Sequence, residues 1–345
     1  MKINRWITLL LIGSLLVAGC GKPHDPETIT PPDVSGGYNV ISKLTTPGSA
    51  QDVIRKDTNV YIAQGEGGMI IINVKDPFEP QEVSISSDGV RGYSSRITYS
   101  DSVVYISAGT YGITVINISD PYNPLVTVSN LNMKPARNVS IYGEYLVAAI
   151  GELGIKFAEI SYPTQPDIRG GISTAGYAYG SDITPDSLHI AVANGEMGFS
   201  MYNISDFQNG FGDYPLTGWI DTPGYAESVA ICDSKPIAFV ACGNSGLQVI
   251  DYSDTTNFKI VGSFYYAGYA KALIYKDDKV FLAARRGGLQ IIDVSDATRP
   301  ALIGKVNMDG ALGLDVTEYM GFDLIFVADE IEGLITVSNL PMIGK

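Results

Sequence analysis

The chain has 345 residues, and its 37 acidic side chains outnumber 23 basic ones, which gives a net charge of −14 at pH 7. A charge of this sign opposes contact with a phosphate backbone, so we predict no nucleic-acid partner, and an anionic membrane surface is disfavoured for the same reason. The acidity alone indicates no more than solubility.

The amino terminus has the pattern of a bacterial signal peptide. Two basic residues precede an apolar run of 14 residues from Trp6 to Gly19, and the segment LVAGC ends at Cys20. This run is shorter than the roughly 20 residues that a membrane-spanning helix needs. A charged start, a short apolar stretch and small residues are typical of a cleaved signal. LVAGC resembles the lipobox, in which the cysteine is lipidated, so we predict a signal peptide at residues 1–20 and membrane attachment through the lipid on Cys20.

The segment after the signal peptide, residues 21–37, is rich in proline and lacks apolar periodicity, which predicts a spacer. Gly21 follows the cysteine where an aspartate would retain the protein in the inner membrane, and in enterobacterial-type sorting this favours the outer membrane. We therefore predict a lipid-anchored protein of the bacterial cell envelope that faces either the periplasm or the medium. Residues 38–345 are expected to form one folded domain.

Most of the chain consists of seven copies of one motif. The clearest copy is GGLQIIDVSDATRP from Gly287, and the last is a truncated EGLITVSNLP from Glu332. A glycine begins each apolar run, at Gly68, Gly112, Gly154, Gly198, Gly246, Gly288 and Gly333. The intervals between these glycines run from 42 to 48 residues, and a period in the forties marks a repeat architecture.

Each copy contains four short apolar segments. In the sixth copy these are Lys271 to Tyr275, Val280 to Ala284, Leu289 to Val294 and Leu302 to Val306. They are rich in β-branched and aromatic residues and are bounded by turn formers, as strands are. Helix-pair solenoids would need longer segments with a period of 3.6 residues, which the mature sequence lacks. The pattern predicts an all-β fold, a seven-bladed β-propeller of four-stranded antiparallel blades.

The last copy ends after its third strand, Leu334 to Ser338, so its blade lacks an outer strand. The segment from Tyr38 to Leu44 resembles the fourth strand that begins at Lys259. We expect Tyr38 to Leu44 to pair with the last strand and to close the ring, because two free strand edges would otherwise promote aggregation.

The third strands, among them LQVIDYSD, LQIIDVSD, ITVINISD and IIINVKDP, resemble the motif that gives the LVIVD-repeat family its name. This is a family of bacterial surface and secreted proteins, and the resemblance covers nearly all of Tyr38 to Pro341. It implies a β-propeller lipoprotein and leaves the biochemical role open. The third and fourth copies depart most from the pattern, at the turn before their outer strands.

Two cysteines remain in the mature chain, both in the fifth copy. The strand assignment places Cys232 opposite Ile237 and Cys242 opposite Glu227. At about 3.3 Å per residue the two sulfurs would lie roughly 16 Å apart along the ladder, which is too far for a disulfide. We predict two buried free thiols.

In a propeller, the connections from fourth to first strands and from second to third strands open on one face. Here the first set contains a recurring Gly-Tyr dipeptide, with Tyr93, Tyr177, Tyr225 and Tyr269. We call this side of the ring the GY face. The four rings could stack on sugars or grip a peptide. Alternatively, each ring wedges between adjacent blades and its hydroxyl ties down a loop.

Polar residues stand where the first strands enter the central channel, at Asp52, Arg96, Asn138, Asp182, Ser228 and Asp315. Glu196 and Arg285 lie in loops between second and third strands on the same face. Converging carboxylates and amides could hold a hard cation such as Ca²⁺, or supply the acid and base for glycoside cleavage. The alternative is a solvated rim with water in the channel, and no other cofactor is predicted.

Histidine chemistry is not indicated on the GY face, because His24 lies in the spacer and His189 begins a second strand near the opposite face. We therefore predict a binding or scaffold module for a protein or polysaccharide partner rather than an enzyme. Two alternatives stay open. One is a carboxylate-based carbohydrate-active or lactonase-like hydrolase or lyase, and the other is a structural envelope protein without a ligand.

Overall fold

A computed structural model describes residues 34–207, 212, 214–265 and 268–341. The predicted signal peptide, Cys20 and residues 21–33 of the predicted spacer lie outside these ranges. Within the described ranges, no helix has the length and apolarity to cross a bilayer.

The described chain forms 28 strands in seven four-stranded antiparallel sheets. β1 (Asn39–Leu44) begins the chain, and blade 1 contains β2 (Asp52–Lys56), β3 (Asn59–Ala63), β4 (Met69–Asn73) and β5 (Gln81–Ser86). Blade 2 contains β6 (Arg96–Ser100), β7 (Val103–Ser107), β8 (Ile113–Asn117) and β9 (Leu125–Leu131). Blade 3 contains β10 (Asn138–Tyr142), β11 (Tyr145–Ala149), β12 (Ile155–Glu159) and β13 (Asp167–Ile172).

Blade 4 contains β14 (Gly180–Ile183), β15 (His189–Ala193), β16 (Phe199–Asn203) and β17 (Leu216–Ile220). Blade 5 contains β18 (Ser228–Ile231), β19 (Ile237–Ala241), β20 (Leu247–Asp251) and β21 (Lys259–Phe264). Blade 6 contains β22 (Ala272–Lys276), β23 (Lys279–Ala283), β24 (Leu289–Asp293) and β25 (Ala301–Val306). Blade 7 contains β26 (Ala311–Tyr319), β27 (Phe322–Asp329), β28 (Gly333–Ser338) and, as its outer strand, β1. The predicted seven-bladed architecture is confirmed, and the strands of the sixth copy lie within one residue of their predicted bounds.

The core lies between neighbouring blades. The second and third strands are almost wholly buried, whereas the outer strands alternate between exposed and covered positions. A buried aromatic ring occupies the centre of the second strand in five blades, at Tyr61, Tyr105, Phe239, Phe281 and Phe326. Because such rings fill the space between two sheets, replacing one with alanine would destabilise the fold by about 3 to 5 kcal/mol.

The ring closes as predicted. β1 pairs antiparallel with β28, from Asn39 opposite Ser338 to Leu44 opposite Leu334. Tyr38, the residue before β1, is buried, and its hydroxyl donates a 2.6 Å hydrogen bond to the Asp323 carboxylate. The first residues of the domain thus hold the last blade from outside.

The repeat glycine has one role in all seven blades. Each of these glycines has a φ between +70° and +89°, which is the left-handed region. A β-carbon added at any of them would lie 2.1 to 2.6 Å from the carbonyl oxygen that ends the outer strand of the same blade. In blade 7 that oxygen belongs to Leu44 of β1. Only glycine combines this backbone angle with so close an approach.

Neighbouring blades are joined on both faces. On the GY face, six isolated bridges within the described residues connect a loop of one blade to the next blade. In five of them the partner lies two residues before the first strand, as between Gly65 and Ser94, and in the sixth Arg285 pairs with Ala311 at the start of β26. On the opposite face, Ser84 donates a 2.6 Å hydrogen bond to the carbonyl of Pro121 in the next blade. The scaffold is therefore continuous around the ring.

The two cysteines are free and buried, as predicted. The amide of Cys232 donates to the Ile237 carbonyl, and the amide of Glu227 donates to the Ala241 carbonyl, next to Cys242. The two thiols accordingly lie toward opposite ends of the same hairpin.

Candidate functional site

The four tyrosines of the GY face pack on glycines of the preceding blade. A β-carbon added to these glycines would lie 2.8 to 3.0 Å from the nearest ring carbon. The pairs are Tyr93 on Gly65, Tyr177 on Gly151, Tyr225 on Gly195 and Tyr269 on Gly243. Tyr93 is nevertheless 47% exposed, and the other three are half-buried. Each ring therefore packs at a joint between blades and keeps part of its surface open, so ligand contact by these rings stays a prediction.

A hydrogen-bonded cluster extends from these rings toward the channel. Tyr225 donates to the Tyr179 hydroxyl at 2.9 Å. Tyr269 and the Lys271 ammonium both donate to the buried Glu227 carboxylate at 2.6 Å. Burial raises the pKa of Tyr269, with a further contribution from its hydrogen bond to Glu227, and burial lowers the pKa of Lys271.

Sequence reasoning did not select Tyr179, Glu227 and Lys271 as site residues. All three occupy one position of the repeat, two residues after the tyrosine of the Gly-Tyr dipeptide. Arg137 occupies the same position in blade 3, and its guanidinium lies 5.3 Å from the centre of the Tyr177 ring. Alignment of the copies at this position would have found the cluster, because the repeat places these residues side by side around the ring.

Three aspartates of the channel connect first strands of adjacent blades. Asp52 accepts from the Ile97 amide at 3.1 Å. In the same way Asp182 accepts from Ile231 at 2.8 Å, and Asp315 accepts from Arg55 at 2.6 Å. Burial raises the pKa of all three carboxyls, that of Asp315 to about 6. These contacts favour a structural role, since each carboxylate supplies an acceptor to a backbone amide of the next blade.

Arg96 crosses the channel from blade 2 to blade 6. Its guanidinium lies 3.4 Å from the Asp52 carboxylate and 3.4 Å from the Lys271 carbonyl oxygen. Beyond it, toward the opposite face, lies a cavity of about 380 Å³. Its wall includes Asp52, Arg96, Asn138, Asp182 and Ser228. The structure thus brings four of the predicted ligand-binding residues and Ser228 into one polar cavity.

Glu196 does not join this group, because it is exposed in a loop of blade 4 on the GY face. The proposed convergence of Asp52, Asp182 and Glu196 is therefore not a feature of the channel cavity. Among the described residues, no group of three or more histidine, cysteine, aspartate or glutamate side chains is placed to hold a metal ion. The glycosidase alternative stays a prediction: Asp52 and Asp182 share the channel cavity, but each carboxylate accepts from a backbone amide of the next blade.

A second cavity opens on the GY face, between loops of blades 5, 6 and 7, and we call it the Arg285 cavity. Its volume is about 470 Å³. Its wall includes Tyr265, Tyr269, Arg285, Arg286, Asp309 and Glu330. Two of the predicted ligand-binding residues, Tyr269 and Arg285, therefore share a concave site that lies apart from the channel cavity.

The closed ring of seven four-stranded blades defines the chain as a seven-bladed β-propeller. The chain is similar in fold to several solved propellers. A TM-score of 0.69 relates it to the WD40 β-propeller domain of Doa1 at 8% identity, over 88% of this chain and 97% of that one. Sqt1 of Saccharomyces cerevisiae has a TM-score of 0.65 at 10% identity, over 87% of this chain and 98% of that one. A chain of the Mitotic Checkpoint Complex has a TM-score of 0.65 at 13% identity, over 96% of this chain and 98% of that one.

The sequence profile of the LVIVD repeat matches residues 47–88, 223–265 and 267–308, which correspond to blades 1, 5 and 6. The chain therefore contains LVIVD repeats and folds as a β-propeller. No curated protein matches the sequence. The structural similarities lie at identities that show the fold alone, so the function has to be argued from the site.

Proposed function

We propose that this propeller is a lipid-anchored binding module of the bacterial envelope that holds a protein or polysaccharide partner on its GY face. The Arg285 cavity is the observation that carries the proposal. It is concave, is formed by loops of three blades, and presents aromatic and charged side chains together. Loops on a rigid scaffold are the usual place for recognition, and its volume lies within the ordinary range for ligand sites.

The channel is a weaker candidate for the contact surface. Its aspartates are bonded to backbone amides, and Arg96 spans it. A macromolecular partner needs accessible area, and Tyr93 and Tyr265 offer 47% and 67% of their surface. Exposed aromatic rings combine a flat apolar face with a hydroxyl, so they suit both sugars and peptides.

The direction of β1 supports the choice of face. Asn39 pairs with Ser338 at the end of β28 that lies away from the GY face, so the described chain enters the ring from the opposite face. The segment at Ser35 and Gly36 packs beside Ile303 and Gly304 in β25. The segment just before β1 therefore leaves the loops of the GY face uncovered.

The partner contact is tested by substituting Tyr93, Tyr225 and Tyr269 together with alanine and capturing partners from envelope extract. Protein is identified by mass spectrometry, and glycan by sugar analysis. The matched control is Tyr122→Ala with Tyr162→Ala, because these rings are 72% and 78% exposed on turns of the opposite face. We expect loss of a defined partner in the first variant and retention in the control. Equal capture by both variants, with thermal melts showing that both are folded, would contradict the proposal.

The anchor is tested separately by Cys20→Ser in the full chain. We expect the variant to leave the membrane fraction and to lose incorporation of labelled fatty acid, whereas the wild type retains both. A Cys20→Ser variant that stays lipidated or membrane-bound would show that the attachment has another origin.

A further inference from the structure

One of the seven loops between second and third strands differs from the rest in charge. In blade 6 it reads RRGG from Arg285, whereas blade 1 reads GEGG from Gly65 and blade 4 reads GEMG from Gly195. The structure describes all seven loops, and only that of blade 6 contains a basic residue. In a chain with a net charge of −14, this loop is a local reversal of sign on the GY face.

The backbone at Arg285 has the conformation that other blades assign to glycine. Arg285 has a φ of +47°, and Gly65 and Gly195 at the equivalent position have a φ of +59°. The amide of Arg285 donates to the Ala311 carbonyl at 2.9 Å, as the amides of those glycines bond to the next blade. A side chain is less favourable in this region than in the ordinary helical region. Such strain concentrates at functional positions.

Both guanidinium groups have free donors. Within the described residues, neither Arg285 nor Arg286 has a hydrogen-bonded or ion-paired side-chain partner. The Arg285 guanidinium lies 5.6 Å from the centre of the Tyr269 ring, within the range of a cation–π contact. Both residues are exposed at the cavity wall. A planar group with five N–H donors in this setting suits a carboxylate bound through two parallel hydrogen bonds.

The rest of the wall has different chemistry. Tyr265 is 67% exposed and presents a ring to the cavity. Asp309 and Glu330 are exposed and supply carboxylate acceptors, and Asn244 adds an amide. A ligand that fits all of these groups needs one anionic group, several hydroxyl donors and a face that can lie on an aromatic ring.

We propose that the Arg285 cavity binds uronic acid units of an acidic polysaccharide. The uronate carboxylate accepts from Arg285 and Arg286, the sugar hydroxyls donate to Asp309 and Glu330, and the pyranose ring lies on Tyr265. This inference rests on the proposed function of the GY face and names the partner class for that site. An acidic peptide fits less well because it brings carboxylates near Asp309 and Glu330 without hydroxyl donors, and a phosphate dianion would be repelled more strongly than a single carboxylate.

The test uses a variant whose loop already exists in the fold. Arg285→Gly with Arg286→Glu converts RRGG to GEGG, the loop of blade 1. Because glycine removes the backbone strain, this variant should melt at or above the temperature of the wild type. Calorimetric titration of the full chain in detergent would use four probes of equal length: oligogalacturonate, oligomannuronate, maltooligosaccharide and oligoglutamate.

We expect the wild type to bind at least one oligouronate. The affinity of the variant for the same probe should be lower by about tenfold or more, since charge-assisted hydrogen bonds are lost. Maltooligosaccharide and oligoglutamate should bind neither protein. The inference is overturned if the wild type binds no oligouronate, if the folded variant retains full affinity, or if oligoglutamate binds as well as the uronates.

The outcome is separable from that of the wider proposal. If the tyrosine variant loses its envelope partner while the GEGG variant keeps it, the GY face is the binding face and the uronate site is wrong. If oligouronate binding depends on the arginines but the tyrosine variant captures its partner like the control, the uronate site stands and the capture surface is elsewhere.

Discussion

Closure of the ring can be tested by replacing Gly333 with alanine, which adds one β-carbon at the contact between β28 and β1. Gly333 begins β28 with a φ of +88°, and a β-carbon there would lie 2.6 Å from the Leu44 carbonyl oxygen of β1. Gly321, in the preceding turn of the same blade, has a φ of +80° and no atom within 4 Å of that position. Gly333→Ala therefore adds both backbone strain and a collision, whereas Gly321→Ala adds the strain alone.

The expected loss of stability follows from the backbone strain and the collision. The left-handed backbone costs an alanine about 1 to 2 kcal/mol, and overpacking against a fixed backbone costs about 1 to 3 kcal/mol more. For a domain of this size, we expect Gly333→Ala to melt roughly 2 to 6 °C below Gly321→Ala. The collision acts on β1, so the amides of Asn39 to Leu44 should exchange faster with deuterium in Gly333→Ala than in the control.

The assay is a thermal melt of both variants beside the wild type, followed by exchange measured by mass spectrometry on the peptide that contains β1. Equal melting temperatures for the two variants, or unchanged protection of β1 in Gly333→Ala, would refute the placement of β1 against β28. The loss of the outer strand alone would still leave six complete blades, so the defect should be local before it is global.

Two further predictions concern titratable groups. Burial raises the pKa of Asp315 from 3.8 to about 6, so its contribution to the free energy of unfolding is present below about pH 4 and is lost as the pH rises through 6. The wild type should therefore lose up to about 3 kcal/mol relative to Asp315→Asn between pH 4 and 7, and a constant difference in urea unfolding across that range would contradict this. Burial raises the pKa of Cys242 to about 12. At Cys232 the effect of burial is outweighed by hydrogen bonds with Tyr275 and with the turn at Ser234, which lower the pKa. Iodoacetamide at pH 8 should label Cys232 first in the native protein, and equal labelling of both thiols would contradict this.

Much of the fold could be predicted because each repeat contains residue types that its position in the blade requires. Gly288 and its six counterparts mark the point where the third strand meets the outer strand, and glycine is required there because a left-handed backbone coincides with a close approach of the outer-strand carbonyl. The partner of the truncated blade could be predicted as well, since β28 without an outer strand leaves an open edge and the segment before blade 1 has the missing pattern.

The candidate site was less accessible to sequence reasoning. The position of Asp52 and Asp182 in the channel could be predicted, but their bonds to amides of the next blade depend on the stagger between sheets. The reach of Arg96 to the Lys271 carbonyl is a contact between blades that are not neighbours, which no local pattern encodes. The charge of Arg285 is visible in the sequence, but the cavity that it shares with Tyr265 and Glu330 depends on how the loops of three blades meet.

The position of Tyr38 has a mechanical consequence. Force applied to the chain ahead of Tyr38 acts first on the buried ring of this residue, whose hydroxyl donates a 2.6 Å hydrogen bond to Asp323. The force then acts on β1 along the axis of that strand. The backbone hydrogen bonds between β1 and β28 would share that load together, in shear, and would not open one after another. The strand that closes the ring is thus also the part of the domain that resists force applied from its amino-terminal side, because shear along a whole strand is the most resistant geometry that a β-sheet offers.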